Sequence, residues 1–340
     1  MSGESVGEPR AARPTAPPEV AAWAHARADA RAERDWAEAD RLRELIEAAG
    51  WKVVDRGIHF QLSPAHPPDV VESGRVRHGA SVTVPSRLDE PPTDDATVVL
   101  VATDWPDDLA RALAGLKRFA PAGTSVVIVA NDPSAEQVAE LDRIESGEGS
   151  QPNLPVEVVW TSARLGHATA LNAGLRRASG RVVVVMDTSV EPATDVVSPL
   201  VAALGDPTVG VAGAFGVTST NLRHFEDAPA GEVDAIEGYL MAFRRDDIGA
   251  RGPLDEHFRF YRNLDLWWSL ALRDEGVDTP PRRAVALSLP VQRHEHRDWT
   301  RLDDAERDRL SKRNYYRILD RFGRRMDLLG AARAGSTRTG

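Results

Sequence analysis

Residues Arg164 to Pro192 read RLGHATALNAGLRRASGRVVVVMDTSVEP, and this stretch decides the fold. Its first half is a helical pattern that carries Asn172. The run Val182 to Val185 is continuously apolar, as expected of a strand covered on both faces. Asp187 follows where such a strand must emerge, and in open α/β sheets ligands gather at the C-terminal strand ends. An acidic group there can hold a divalent cation against a diphosphate, and Asn172 can reach a phosphate, a ribose or a neighbouring loop. A turn-forming aspartate is the alternative use of the same position.

Outward from this stretch, TVVLVAT (97–103), SVVIVAN (125–131), VEVVW (156–160) and RVVVVMD (181–187) are four β-branched runs separated by helical patterns. That alternation predicts a doubly wound, mostly parallel sheet with right-handed crossovers. No G-x-G-x-x-G follows the first run, and neither a phosphate-binding P-loop nor a G-x-S-x-G nucleophile turn is present. The first strand ends at Thr103 and Asp104, the second at Asn131 and Asp132. Both aspartates are also well placed to cap the helices that follow.

Over roughly 95 to 325 these motifs resemble the family 2 glycosyltransferases, whose fold is GT-A. In the N-x-G-x-x-x-A-x-N-x-G segment of that family, Arg164 stands at the first Asn, Gly166 and Ala170 fit, and Asn172 with Gly174 complete it. In the metal motif Asp187 matches, while Ser189 stands where a second acidic residue is usual. The resemblance implies a nucleoside diphosphate sugar as donor, contacted by Asp104, Asn131, Asp132, Arg164, Gly166 and Asn172. It also implies Mg2+ or Mn2+ on Asp187, helped by His294 or His296 of VQRHEHRDW (291–299). Alternate spacing on an extended segment would turn both imidazoles to one side, with Glu295 opposite. Arg293 and Arg297 could pair with phosphates.

The acceptor side of the resemblance runs through Gly238, Arg244, Arg245, Gly252, Asp255, Glu256 and Phe258. The acidic motif that opens the next helix is reduced to Asn263, Leu264 and Asp265. Transfer with inversion needs one base beside the acceptor hydroxyl, and Asp265 is the candidate, with Asp255 or Glu256 as substitutes. A helix-terminal carboxylate stabilised by the dipole is the competing reading of Asp265. Trp267 and Trp268 are adjacent, so they cannot share one helix face. One is expected in the core and the other against an acceptor sugar. Because Ser189 and Asn263 thin the carboxylates, a catalytically weak or inactive GT-A domain acting as a binding or scaffold protein stands as the alternative.

The 340 residues carry a net charge of -10, 42% hydrophobic and 28% charged residues, and no cysteine. Such a composition is that of a globular protein without disulfides or zinc-thiolate sites, and its acidity argues against general nucleic-acid binding. No apolar run approaches a membrane span, so a cytoplasmic location is expected, with peripheral membrane attachment and oligomeric state open. The expected order is a disordered tail (1–17), a small helical hairpin module with a short strand pair (18–62), a linker (63–95) with a short strand at Val82 to Val84, the GT-A domain (96–325) and a second tail (326–340). The hairpin stretch AWAHARADARAERDWAEADRLRELIEAAGWKVVDRGIHF (22–60) resembles the C-terminal region of cysteinyl-tRNA synthetases through Arg27, Arg31, Asp35, Trp36, Asp40, Arg43 and Leu45. Contact with tRNA or another polyanion is one use of those arginines. The other is an interaction module, favoured because interleaved acidic residues can pair with them along the helix.

Overall fold

The computed structural model describes residues 15–57, 59–147, 153–297 and 301–330. They fall into two compact units, divided after Pro68. In the first, helices α1 (Pro18–Ala32) and α2 (Trp36–Ala48) are followed by the antiparallel pair β1 (Trp51–Arg56) and β2 (His59–Pro64). Asp35 caps α2 by accepting the Glu38 N–H, and Gly50, at φ 78°, makes the left-handed turn into β1. Val20, Ala24 and Ile46 form its core. Arg27 is buried and bidentate to Asp55 at 2.9 and 3.1 Å, so its charge is already engaged inside the module.

The second unit is built on a ten-stranded sheet. Its centre comprises β5 (Asp94–Ala102), β6 (Thr124–Ala130), β7 (Val156–Thr161) and β8 (Gly180–Met186), all parallel, in the order β8-β5-β6-β7. Helices α3 (Pro106–Phe119), α4 (Ala135–Glu145) and α5 (His167–Leu175) make the crossovers between them. After β9 (Val190–Pro192) and α6 (Val197–Ala203), the chain adds β10 (Val209–Gly213) and then β11 (Gly216–Thr218), β12 (Glu226–Ala228), β13 (Gly231–Val233) and β14 (Ala235–Ile236). Strand β15 (Leu240–Arg244) then inserts antiparallel between β8 and β10, pairing Leu240 with Met186 and Arg244 with Val182. That register sets residues 237–239 beside Asp187, whose N–H donates to the Tyr239 carbonyl at 2.9 Å. Helices α7 (Asp246–Arg251) and α8 (Leu264–Arg273), strands β16 (Arg283–Ala286) and β17 (Val291–Arg293), and helix α9 (Asp304–Phe322) complete the unit.

The apolar run of β8 follows from its position. Val182 and Val184 pack with Leu109 and Leu113 of α3 and Leu200 of α6, whereas Val183 packs with Leu171 of α5 and Leu270 of α8. Both faces are therefore covered from Val182 to Val184, and the half-buried Val185 is the first position to border the cavities. Arg273 of α8 is fully buried and donates to the carbonyls of Arg282 and Leu328 at 2.8 and 2.7 Å and to that of Asp234.

Three expectations are corrected. Residues 63–95 are not an irregular linker: β3 (Val70–Glu72) and β4 (Arg75–His78) form a hairpin on the edge of the large sheet, with β4 parallel to β7. The guanidinium groups of Arg75 and Arg77 lie 4.1 and 5.2 Å from the Trp160 ring and hold the hairpin there. Ser81–Thr83 is a 3-10 turn rather than a strand, which buries Val84 and leaves Val82 exposed. The folded unit also runs past 325, because Met326–Leu328 forms a second 3-10 turn that buries Leu328 and Leu329. Residues 1–14 and 331–340 of the two expected tails lie outside the described residues. Among the described residues no helix is long and apolar enough to cross a membrane.

Gly174 shows why α5 can lie so close to the sheet. A Cβ there would sit 2.6 Å from Val99 Cγ1 and 2.9 Å from Val129 Cγ2, both in strands directly beneath the helix. Gly174→Ala should therefore destabilise the protein by about 1–3 kcal/mol through overpacking. Gly249→Ala, in α7 where a Cβ meets nothing within 4 Å, should instead be neutral or mildly stabilising. Thermal melts of the two variants beside the wild type check the contrast, and a Gly174→Ala melt equal to the wild type would remove the packing argument.

Candidate active site

Two cavities open at the C-terminal ends of the parallel strands. The first, about 360 Å3, is bordered by Thr103 after β5, Asn131 after β6, His167 at the start of α5, Asp187 after β8, and by Glu295, His296, Arg297 and Arg301. The second, about 400 Å3, lies under α8 and the loop that carries Phe225 and Asp227. They meet at His167, Asp187, Gly238, Tyr261 and His296, which border both.

Asp187 is held from two sides. Its Oδ1 accepts the Ser189 N–H at 2.8 Å and the Ser189 hydroxyl, while Oδ2 lies 3.3 Å from Nε2 of His296. Burial works to raise the carboxyl, but the hydrogen bond from His296, its charge and the two donors of Ser189 outweigh it and bring the pKa down to about 2. Ser189 is itself buried, with both its N–H and its hydroxyl committed to Asp187. His296 is stacked on Tyr261, with ring centroids 4.2 Å apart. Neighbouring His167 is depressed to about 4, chiefly by burial, with Asp187 pulling it up and His296 pushing it down; it is neutral at neutral pH.

His294 is not part of this group. β17 pairs with β9 so that Arg293 faces Val190, and the His294 Nε2 lies 2.9 Å from the Glu191 carboxylate. The strand ends at Arg293, so the strict alternation expected for 294–296 does not apply, and Glu295 borders the first cavity together with His296. Asp187 Oδ2 is an oxygen donor of the type that Mg2+ and Mn2+ accept, with the His296 imidazole beside it, and such ions complete their shells with water and phosphate oxygens. Among the described residues no set of three His, Cys, Asp or Glu side chains converges as a metal site.

The first cavity is lined on its open side by arginines. Arg164, Arg259, Arg297 and Arg301 border it. Asp104 anchors Arg164 at 2.8 Å and also pairs with Arg301; burial pushes its carboxyl up, but the two arginine hydrogen bonds hold it below the usual range. Trp105 lies 5.1 and 4.9 Å from the guanidinium groups of Arg297 and Arg301. Asp104 thus fixes the arginines and does not itself border the cavity, nor does the exposed Asp132. Asn131 does border it, yet its amide accepts the Leu165 N–H at 2.8 Å and donates to the Leu165 carbonyl at 3.1 Å.

Gly166 and Asn172 border neither cavity. A Cβ on Gly166 would stand 3.0 Å from Arg259 Cα, so the glycine admits the loop that carries Arg259. The buried Asn172 amide ties Leu254 through both its N–H and its carbonyl, at 3.0 and 2.9 Å, and reaches Glu256 at 3.0 Å. Both residues shape the site from behind it.

On the acceptor side the carboxylates sort differently from expectation. Asp265 borders the second cavity and accepts the Gly238 and Leu266 N–H groups, each at 2.9 Å; burial raises its pKa against those two bonds. Asp255 pairs with His257 at 2.7 Å and lies 3.5 Å from Arg317, while Glu256 is bound to Ser81 and Asn172; neither borders a cavity. Asn263 takes a left-handed φ of 68° just before α8, and its amide donates to the Ser311 carbonyl at 3.0 Å. Trp268 borders the second cavity, whereas Trp267 packs in the core against Phe258 and Phe322. Sequence reasoning missed Glu237, which borders the second cavity and whose carboxyl is raised to about 7 by burial and by the Asp265 charge. The only signal was an acidic residue directly before Gly238.

Residues 97–261 match the family model described as Glycosyl transferase family 2. Among solved structures, the chain is similar to GalNAc-T7 solved with UDP, GalNAc and Mn2+, with a TM-score of 0.53, 17% identity, and 68% of this chain and 48% of that one covered. It is also similar to the mannosyltransferase PcManGT from Pyrobaculum calidifontis in complex with GDP-Man and Mn2+, with a TM-score of 0.46, 22% identity, and 61% and 59% of the two chains covered. The GalNAc-T7 likeness establishes the shared fold. A separate match, 56% identical over 39 residues, is to cysteine--tRNA ligase 1 of Burkholderia lata, covering 12% of this chain and 8% of that protein. The chain thus spans about half the length of the solved GalNAc-T7 chain and a small fraction of the ligase.

The depressed pKa of Asp187 makes a pH prediction. Its ionised form stabilises the fold, so the contribution is complete above the ordinary carboxyl value of 3.8 and is lost as pH falls through about 2. Asp187→Asn should therefore be less stable than the wild type at neutral pH, with the difference closing as the solution is acidified through that window. Ser189→Ala should close part of the same difference by weakening the hold on Oδ1. Urea titrations at several pH values read both effects, and a difference independent of pH would show that Asp187 ionisation carries no stability.

Proposed function

We propose, from the match of residues 97–261 to the family 2 glycosyltransferase model and from the shared GT-A fold, that the protein moves a sugar from a nucleoside diphosphate sugar to a hydroxyl acceptor with inversion. One observation carries the reading: a cavity bordered by four arginines meets, at Asp187 and His296, a cavity bordered by Asp227, Glu237 and Asp265 together with Arg223 and Arg262. The first suits a diphosphate, because Arg164, Arg259, Arg297 and Arg301 offer planar donors to its oxygens. The second suits a polyhydroxylated acceptor, with Trp268 and Tyr239 as apolar surfaces and Asp265 and Glu237 as acceptors for hydroxyl hydrogens. The reacting carbon would lie at the junction.

Asp187 Oδ2 and His296 Nε2 would hold Mg2+ or Mn2+. When bound, such an ion neutralises the charge that develops on the departing diphosphate. The arginines share that task and Ser189 keeps Asp187 aimed. In the transfer, the acceptor oxygen bonds to the anomeric carbon as the bond from that carbon to the diphosphate oxygen breaks. The electron pair leaves with the diphosphate. The acceptor proton passes to a carboxylate of the second cavity, and His167, neutral, adds no charge at the junction.

A second reading, a catalytically weak or inactive domain kept for binding, draws support from the absence of a three-group metal site among the described residues. Donor binding separates the two. GalNAc-T7 was solved with UDP and Mn2+, which makes a UDP-sugar with Mn2+ the first probe, with GDP- and dTDP-sugars after it. At a donor concentration about a hundredfold above Kd, binding stabilises the protein by about 2.7 kcal/mol, read as a rise in Tm. Asp187→Ala should abolish the metal-dependent part of that rise and keep the part owed to the arginines. No rise with any donor would favour the binding reading over transfer.

A further inference from the structure

Of the carboxylates that border the second cavity, Asp265 and Glu237 flank Gly238 in unequal circumstances. Each oxygen of Asp265 already accepts a backbone N–H, from Gly238 and from Leu266. A Cβ on residue 238 would lie 3.2 Å from that of Asp265, so the carboxylate is packed closely against the 238 backbone. Glu237 differs. Its own N–H is fixed on the Phe215 carbonyl at 2.8 Å, but among the described residues its carboxylate accepts no hydrogen bond, and its salt-bridge partner, Arg293, stands off at 3.8 Å. Arg293 is held there by the rings of Phe215 and Tyr239, 5.3 and 4.8 Å from its guanidinium carbon. Because β15 is registered on β8, residues 237–239 are fixed beside Asp187, where the two cavities meet.

We propose that Glu237 is the general base that takes the proton from the acceptor hydroxyl, and that Asp265 is a positioning residue that fixes the 237–239 backbone beneath it. The inference rests on the transfer reading above. A base must have a lone pair free to receive a proton, and of the two carboxylates only Glu237 leaves its oxygens uncommitted. As the acceptor O–H is lost to a Glu237 oxygen, the acceptor oxygen forms its bond to the anomeric carbon and the diphosphate leaves with the electron pair. The charged and titratable groups facing Glu237 are Asp265 from α8, Arg262 from the loop before it, Arg293 from β17, Asp227 from β12 and Tyr239 in its own turn. Burial and Asp265 raise its proton affinity to about 7, where a base is best matched to neutral pH, while Arg293 and Arg262 work against them.

The test is a pH profile of donor turnover, measured as nucleoside diphosphate release with water or a sugar as acceptor. In the wild type, kcat/KM should rise with pH to a plateau near neutrality. Glu237→Gln should lower the rate about 10²- to 10⁴-fold, erase that rise and leave the donor-induced rise in Tm intact. Asp265→Asn should keep the rise but move it to lower pH, since the charge that lifts Glu237 is gone. Infrared difference spectra of the wild type against Glu237→Gln should show a carboxyl group titrating near neutrality. The inference is overturned if Glu237→Gln keeps the wild-type rate and profile, if Asp265→Asn is the variant that erases the rise, or if no such carboxyl titrates. Failure of the wild type to bind any donor overturns the transfer reading itself, and the inference with it.

Discussion

The burial of β8 on both faces is the constraint on which the site depends. Val182 to Val184 lie in the apolar clusters shared with α3 and α6 on one side and α5 and α8 on the other, so the strand can carry no charge there, and Val185 is the first of its residues to border the cavities. Asp187 is the first residue past the end of the strand. Its position therefore comes from packing, while its chemistry comes from what packing brings up to it. Ser189 reaches back from the next turn, and His296 arrives from a segment more than a hundred residues later. The antiparallel insertion of β15 next to β8 adds Glu237, Gly238 and Tyr239 at the same level.

Charge is then divided around this point. On the first cavity, Asp104 and Asp108 pair with Arg164, Arg297 and Arg301, so the acidic groups serve to hold guanidinium groups at the opening. On the second cavity, Asp265 and Glu237 are carboxylates in partial burial, and each is raised by desolvation. Such a division lets one end of the site meet an anion and the other meet hydroxyl groups. At the junction His167 is kept neutral and His296 is stacked on Tyr261, which limits both the charge and the motion of the groups where the two cavities meet.

Much of this was legible in order but not in role. The four strand runs gave the central parallel sheet because each is long, β-branched and bounded by turns, and Asp187, Arg164, Gly238, Asp265 and Trp268 border the cavities. Asn172 and Gly166 were expected to contact the donor, whereas the structure sets them against the loop at 254–259. Spacing alone could not separate His294 from His296, because their separation depends on β17 ending at Arg293. Asp255 and Glu256 looked like site carboxylates from their neighbours in the chain, but they are consumed by His257, Arg317, Ser81 and Asn172.

The sequence by itself determined what depends on local pattern: the number and kind of central strands, the burial of β8, and an aspartate at its end. It also determined the small helical module, whose capping Asp35 and turn-making Gly50 act within a few residues of themselves. Only the tertiary structure decided which polar groups were free to act. A carboxylate or amide is chemically the same letter whether it faces a cavity or a carbonyl, and its partners come from strands and loops far away in the chain. Asp265 is engaged by Gly238 and Leu266, and Glu237 is left open beside it, because β15 folds back against β8.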